Sequence, residues 1–183
     1  MAISKIGSNA TGFASGLDIS DGDITVASGH GVSFAATSDA TDMSSELLDD
    51  YEEGVFTFTT NANIGLVSSS NIGKYTKIGR VVHVQAKLDL SSVSSTNHVY
   101  FNAMPFTNGS STSSTMNGEA LGTIALYNVN FDDDANYHYA VMGAGSQTVY
   151  IYASKDNGNW DILTNSELTS SSEIGLNITY QVD

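Results

Sequence analysis

The sequence contains no cysteine and a single proline, Pro105. The absence of cysteine excludes a disulfide framework, a thiolate nucleophile and a cysteine-ligated zinc site, and one proline argues against a polyproline segment. No apolar run is long enough to span a bilayer, and residues 1–5 lack the apolar core of a signal peptide. A chain of 183 residues can still bury a sizeable core without covalent staples.

Basic residues are also scarce. The chain has six lysines and arginines against 20 acidic residues, which gives a formal net charge of −14. Such a surface repels phosphate groups, so we expect neither nucleic acid nor an anionic membrane as a partner. The charge suits a protein held at high local density on a particle, although solubility alone is an equally good explanation.

The amino-terminal 45 residues are predicted to form an extended arm, distinct from a body at residues 46–183. The arm is rich in Gly, Ala, Ser, Thr and Asp, with isolated hydrophobic residues. In two short alternating pieces, Ile24 shares a face with Val26, and Val32 shares a face with Phe34. Because so few apolar side chains cannot close a core, we expect these four to contact a neighbouring subunit. A flexible terminus is the alternative.

The body alternates polar and apolar residues with the period of β-strands. The longest alternating runs are residues 82–90 and 174–182. Shorter candidate strands, most of them joined by Gly, Asn and Ser clusters, lie at 55–58, 99–101, 124–131, 137–142 and 149–153. This spacing predicts an all-β fold, an antiparallel β-sandwich or jelly-roll-like body.

One segment has helical rather than strand spacing. Met43, Leu47, Leu48 and Tyr51 recur three or four residues apart, and Gly54 follows where a helix would end. We therefore predict a helix over residues 43–53.

Two motifs stand out near the start of the body. Residues 49–54 read Asp-Asp-Tyr-Glu-Glu-Gly, and residues 75–80 read Tyr-Thr-Lys-Ile-Gly-Arg before a valine-rich strand. The second motif predicts a tight reversal in which Gly79 takes a positive φ. Lys77 and Arg80 are expected to pair with the acidic run of the first motif.

Together these motifs resemble a segment of bacteriophage virion structural proteins of the tail-fibre or surface-appendage type. Residues 103–106 resemble the short apolar-Pro-Phe element of that family, and residues 150–154 and 174–180 its closing strands. The sequence departs from the pattern at Thr57-Phe58, where the family has Thr-Pro, and at Lys74-Tyr75, where it has two tyrosines. The resemblance covers about residues 47–183, and it implies a homotrimer on the virion surface.

No pattern in the sequence predicts a catalytic, cofactor or metal site. The acidic residues at 42–53 lack the alternating spacing of a calcium loop. His30, His83, His98 and His138 are far apart, and there is no Gly-x-Ser-x-Gly elbow. A pair of carboxylates for glycoside hydrolysis, brought together only by the fold, stays open as an alternative.

A group of aromatic residues has two candidate roles, in a second core or subunit interface or in binding a glycan. Tyr150 and Tyr152 alternate with the apolar residues at 149, 151 and 153, and Trp160 follows a turn at 156–159. Such residues more often fill a second core or a subunit interface, and stacking of exposed Tyr and Trp side chains on sugars is the alternative.

These observations predict a non-enzymatic phage structural protein on the virion surface. We expect a short homotrimeric module, either a head-decoration (cement) protein or part of a fibre, whose partners are other capsid or tail proteins. The alternative is a receptor-binding tail-fibre tip that recognises a host surface glycan.

Overall fold

A computed structural model describes residues 25–27, 30–33, 47–48, 50–61, 63–94, 96–109, 119–130, 135–156 and 158–183. Within these ranges the chain forms strands, joined by turns and one 3-10 turn at Asn165–Glu167. None of the described residues forms a helix long and apolar enough to cross a membrane. The strands, in chain order, are β1 (Val32–Ser33), β2 (Leu47–Leu48), β3 (Tyr51–Thr57), β4 (Thr59–Thr60), β5 (Ile64–Leu66), β6 (Ile72–Ile78), β7 (Val81–Val93), β8 (Tyr100–Asn102), β9 (Ala120–Tyr127), β10 (Ala135–Met142), β11 (Val149–Lys155), β12 (Asp161–Ile162) and β13 (Glu173–Gln181).

Eleven of these strands form one antiparallel sheet, which confirms the predicted all-β fold. Its order is β3-β6-β7-β13-β9-β10-β11-β8-β4, with β5 added on β7 and β12 added on β11. The two ends of this order, β3 and β4, are separated in the chain only by Phe58. The sheet therefore nearly closes on itself as a barrel. Strands β1 and β2 form a separate two-stranded sheet.

Strand β13 lies inside the sheet, between β7 and β9. β13 pairs with β7 along all nine of its residues and with β9 along six of them. Its alternation places Ile174, Leu176 and Ile178 in the core. Other strands and the segments between them contribute the other large side chains that are buried almost completely, among them Phe58, Val82, Val84, Leu88, Phe101, Met104, Met142, Ile151 and Leu163. Side chains of alternating polarity thus form one core inside the curved sheet.

The two sequence motifs contact each other across β3 and β6. Lys77 Nζ pairs with Asp50 Oδ2, as predicted, and Tyr75 Oη donates a hydrogen bond to Glu52. Gly54 leaves room for this tyrosine, because a Cβ there would lie 2.8 Å from Tyr75 Oη. The motif residues therefore hold two strands together.

The turn between β6 and β7 has the predicted conformation. Gly79 has a φ of 55°, and its N–H donates to the carbonyl of Asp50 at 2.7 Å. Arg80 makes a different contact from the one predicted. Its Nε donates to the carbonyl of Val182 at 2.8 Å, so it binds the C-terminal segment instead of the acidic run.

The predicted helix at residues 43–53 is wrong. Its described residues include β2 and the first part of β3, and all seven residues of β3 pair with β6. The pairing with β6 provides hydrogen-bond partners for the backbone of β3 without a helix, and it places Phe56 against the core. Gly54, a poor helix former, lies within the strand.

The predicted assembly residues lie partly outside the described ranges. Ile24 and Phe34 are not among the described residues. Val26 is 49% exposed and Val32 is 54% exposed, so neither is buried against its own chain. The division of the chain at residue 45 stays a prediction.

Candidate ligand-binding surface

The outer face of β11 carries the tyrosines identified in the sequence. Val149, Ile151 and Ala153 are buried in the core, and the alternation turns Tyr150 and Tyr152 to the opposite side, as predicted. Both tyrosines are half-buried because neighbouring strands bring other aromatic rings against them.

Tyr152 is the middle ring of a three-ring stack. Tyr139 on β10 is its register partner, and their ring centroids are 6.0 Å apart at an interplanar angle of 19°. Trp160 covers the other side of Tyr152 with a centroid distance of 4.7 Å and an angle of 21°. With 57% of its surface exposed, Trp160 leaves an indole surface open to solvent.

The short strand β12 explains how Trp160 reaches this stack. Ile162 pairs with Tyr152 and Asp161 pairs with Ala153, so the chain turns back antiparallel to β11. Continued by one residue, this register places Trp160 diagonal to Tyr152 on the same face, a separation that aromatic side chains can bridge.

A second ring pair extends the surface along β11. Tyr100 on β8 is the register partner of Tyr150, with centroids 5.5 Å apart and planes inclined at 51°. Tyr137, two residues before Tyr139 on β10, is 75% exposed. The result is an aromatic surface, formed by Tyr100, Tyr137, Tyr139, Tyr150, Tyr152 and Trp160.

The surroundings of Tyr152 also shift its pKa. Partial burial raises the pKa of Tyr152, and the nearby Glu119 carboxylate and the hydroxyls of Tyr150 and Tyr139 raise it further. Tyrosine is protonated at neutral pH even without this shift, and the Tyr152 O–H can donate a hydrogen bond to a ligand oxygen.

A polar cleft lies on the other side of β11 and β12. It has a volume of about 250 Å³ and includes Lys155, Asp161, Thr164 and Glu167 in its lining. Asp161 stands opposite the buried Ala153, so the cleft opens away from the aromatic surface. Glu167 accepts hydrogen bonds from Thr164 N at 2.7 Å and Thr164 Oγ1 at 2.9 Å, and Lys155 lies 3.5 Å from Asp161. Both carboxylates thus have structural contacts.

Metal-binding side chains are not grouped in the part of the chain that the structure describes. No three His, Asp or Glu residues there could hold one ion. Of the histidines, His83 contacts Thr179 Oγ1 at 3.0 Å on the outside of the sheet, whereas His138 is partly buried.

Sequence reasoning missed Tyr139 and Tyr100. Tyr139 alternates with the buried Ala140 and Met142, which was the signal that it faces outward. Its contact with Tyr152, and that of Tyr100 with Tyr150, depend on the register between strands, which a single sequence does not reveal.

No protein-family model matches the sequence, and the comparison with curated proteins finds no match. Among solved structures, the chain is similar to the Dettilon tailspike protein (gp208), with a TM-score of 0.58 and 19% sequence identity. The two share a fold. The likeness covers 72% of this chain and 24% of the tailspike, so the chain spans about a quarter of the tailspike's length. At this level of identity the likeness shows the fold alone.

Proposed function

We propose that this chain is a non-enzymatic structural protein of a phage particle, exposed on the particle surface. The observation that carries the proposal is the fold shared with a phage tailspike. The motifs support it, because their charged and aromatic residues bind each other across β3 and β6. Such residues maintain a fold, which is what a structural module requires.

Within this role, we favour a short homotrimeric module, either a decoration protein of the head or part of a fibre. The acidic surface suits a crowded particle, and the exposed Val26 and Val32 suit contact with a neighbouring copy. Other capsid or tail proteins would be its partners.

Immunogold labelling of intact phage particles tests the structural role. An antibody against the chain should label the particle surface, on the head for a decoration protein and on the tail for a fibre module. Quantitative mass spectrometry of purified particles should find many copies in the first case and few in the second. Particles that contain no copy of the chain would disprove a structural role.

The non-enzymatic part needs its own assay. Incubation of the protein with host capsule polysaccharide should release no reducing ends. Release that depends on the intact protein would show that the chain degrades glycans and would overturn this part of the proposal.

The aromatic surface favours a second candidate, a receptor-binding module that recognises a host surface glycan. The observation is the stack of Tyr139, Tyr152 and Trp160, whose outermost ring is open to solvent. Flat aromatic rings beside a hydroxyl donor can pack on the apolar face of a sugar and bond its oxygens.

Glycan-array binding with matched variants tests this candidate. Trp160→Ala should weaken binding by about tenfold or more, since an exposed aromatic anchor typically dominates a small interface. Tyr127→Ala is the control, because Tyr127 is 61% exposed but lies outside the aromatic surface. Equal effects of the two substitutions, or no binding by the parent protein, would eliminate the glycan candidate.

A further inference from the structure

The outer face of β3, β6 and β7 combines an exposed apolar row with a groove whose charged side chains are Lys74 and Glu53. The strand register aligns outward side chains across the three strands. The rows, beginning at the end where the amino-terminal segment enters, are Tyr51, Ile78 and Val81, then Glu53, Thr76 and His83, then Val55, Lys74 and Gln85.

The first of these rows, hereafter the apolar row, is unusually exposed. Tyr51 is 65% exposed, Ile78 50% and Val81 42%. Leu48 lies beside it, because its Cδ1 is 3.9 Å from a Cβ built on Gly79. Adjacent apolar side chains left open to solvent mark a surface that another molecule covers.

Beyond the apolar row lies a groove of about 360 Å³, lined in part by Val55, Lys74 and His83. Four of the six basic residues of the chain lie within residues 74–87: Lys74, Lys77, Arg80 and Lys87. Lys77 is bound to Asp50, and Lys87 lies 2.9 Å from both Asp89 and Glu173. Lys74 makes no ion pair within the described ranges, so its charge is available. Glu53, also in the groove, is the opposing charge on this face.

The amino-terminal segment has the complementary properties. The chain has no lysine or arginine between Lys5 and Lys74, whereas Asp18, Asp21 and Asp23 lie within the six residues before Ile24. Val26, two residues later, is 49% exposed and thus uncovered by its own body. An acidic segment with apolar residues would be repelled by most of a surface with a net charge of −14, but not by this face.

We propose that residues 18–27 of a second copy of this chain dock on the outer face of β3, β6 and β7. Ile24 and Val26 cover the apolar row, and the aspartates lie toward Lys74 and Arg80. This inference deepens the assembly part of the proposed function and rests on it. It identifies both sides of the contact between copies, which the fold alone leaves open.

The absence of cysteine makes a cross-linking test direct, because introduced thiols have no background. Val26→Cys is placed in one tagged copy of the full chain and Val81→Cys in a copy with a different tag. After mixing and oxidation, disulfide-linked species that contain both tags are expected. The control pairs Val26→Cys with Tyr127→Cys, which is exposed at the end of β9 that lies level with Asp89 of β7, far along the strands from Val81.

The yield of disulfide-linked species that contain both tags decides whether the proposal holds. A yield for the pair with Val81→Cys well above that for the pair with Tyr127→Cys supports the proposal. Equal yields, or no cross-link with Val81→Cys, overturn it. A third protein carries Val26→Cys and Val81→Cys in one chain. If it closes its disulfide within single copies and the mixed-tag species fail to form, the segment covers its own body and the proposal is wrong.

Charge and apolar variants give an independent readout by light scattering after size-exclusion chromatography. Lys74→Glu and Ile78→Glu should each raise the dissociation constant of the assembly by about tenfold or more. Lys155→Glu and Leu121→Glu are the controls on other faces, and circular dichroism checks that each variant folds. Unchanged assembly in folded Lys74→Glu and Ile78→Glu overturns the proposal. Particle labelling is unaffected by this result, so the proposed function stands or fails separately.

Discussion

At the scale of single residues, Gly79 shows how one position fixes a connection. Its φ of 55° lies in the left-handed region, which an L-residue with a side chain occupies at a cost. Its N–H donates to Asp50, so the same residue also ties the turn to the start of β3. The space around it is open, with Leu48 Cδ1 at 3.9 Å. A substitution at Gly79 therefore tests backbone strain and not crowding.

Gly79→Ala should lower the free energy of unfolding by about 1–2 kcal/mol, because the turn needs the left-handed conformation. Gly143→Ala is the matched control, since its Cβ would meet nothing within 4 Å and its φ is not positive. We expect that control to change stability by no more than about 0.5 kcal/mol. Urea denaturation measures the free energy of unfolding of both variants. Equal losses for Gly79→Ala and Gly143→Ala would show that the positive φ of Gly79 does not limit stability.

His138 should make stability fall in acid. Burial lowers the pKa of His138 below its ordinary value of 6.5, although the Glu167 carboxylate opposes this effect. In this pH range the unfolded chain binds a proton at His138 more readily than the folded chain does. Protonation therefore favours unfolding, and the free energy of unfolding decreases as the pH falls through the range just below 6.5.

His138→Gln removes this titration. Between about pH 8 and about pH 5, the urea midpoint of the variant should therefore fall less than that of the parent protein. Identical pH profiles for the two proteins would show that protonation of His138 does not oppose folding.

At the scale of elements, the contact between β3 and β6 depends on a buried charge. The Lys77 side chain is 10% exposed, whereas that of Asp50 is 46% exposed. Lys77 also lies 5.6 Å from the centre of the Phe106 ring. Loss of the carboxylate would leave a nearly buried ammonium without its counter-charge, which is costlier than the loss of a surface pair.

Asp50→Asn should therefore lower the free energy of unfolding by about 1–3 kcal/mol, less than the loss of one partner of a fully buried pair, because Asp50 is partly hydrated. Glu173→Gln, in the exposed pair with Lys87, should cost no more than about 1 kcal/mol. A double-mutant cycle with Lys77→Met separates the pair energy from other effects, and a coupling energy near zero would refute the ion pair.

The elements themselves were largely predictable because alternation is a local property. The strands at 82–90 and 174–182 occur as β7 and β13 with small shifts at their ends. The prediction of a helix at 43–53 failed because four hydrophobic residues matched a helical period by spacing alone. The long-range pairing of β3 with β6 determines the structure there instead. The outward direction of Tyr150 and Tyr152 was predictable for the same local reason, but their ring partners lie on other strands.

At the scale of the whole molecule, the order of strands was beyond a single sequence. β13 lies between β7 and β9, and β3 and β4 close the sheet from its two ends. These pairings join residues far apart in the chain. Alternation predicts which face of a strand is buried but not which strand lies beside it.

This topology predicts unequal effects of truncation. A chain that begins at residue 46 should keep a cooperative thermal transition, because every strand of the eleven-stranded sheet lies after that point. A chain that ends at residue 172 should lose the transition, because β7 and β9 would both lose their β13 partner. Calorimetry measures both, and failure of the first fragment to fold would contradict the division at residue 45.

The central place of β13 also has a consequence for how the protein is made. While the ribosome is still adding residues 173–181, β7 and β9 have been synthesised but still lack the strand between them. Folding of the sheet must therefore wait until β13 has emerged, and until then the apolar edges of β7 and β9 need protection from wrong pairing, by a chaperone or by a sister chain.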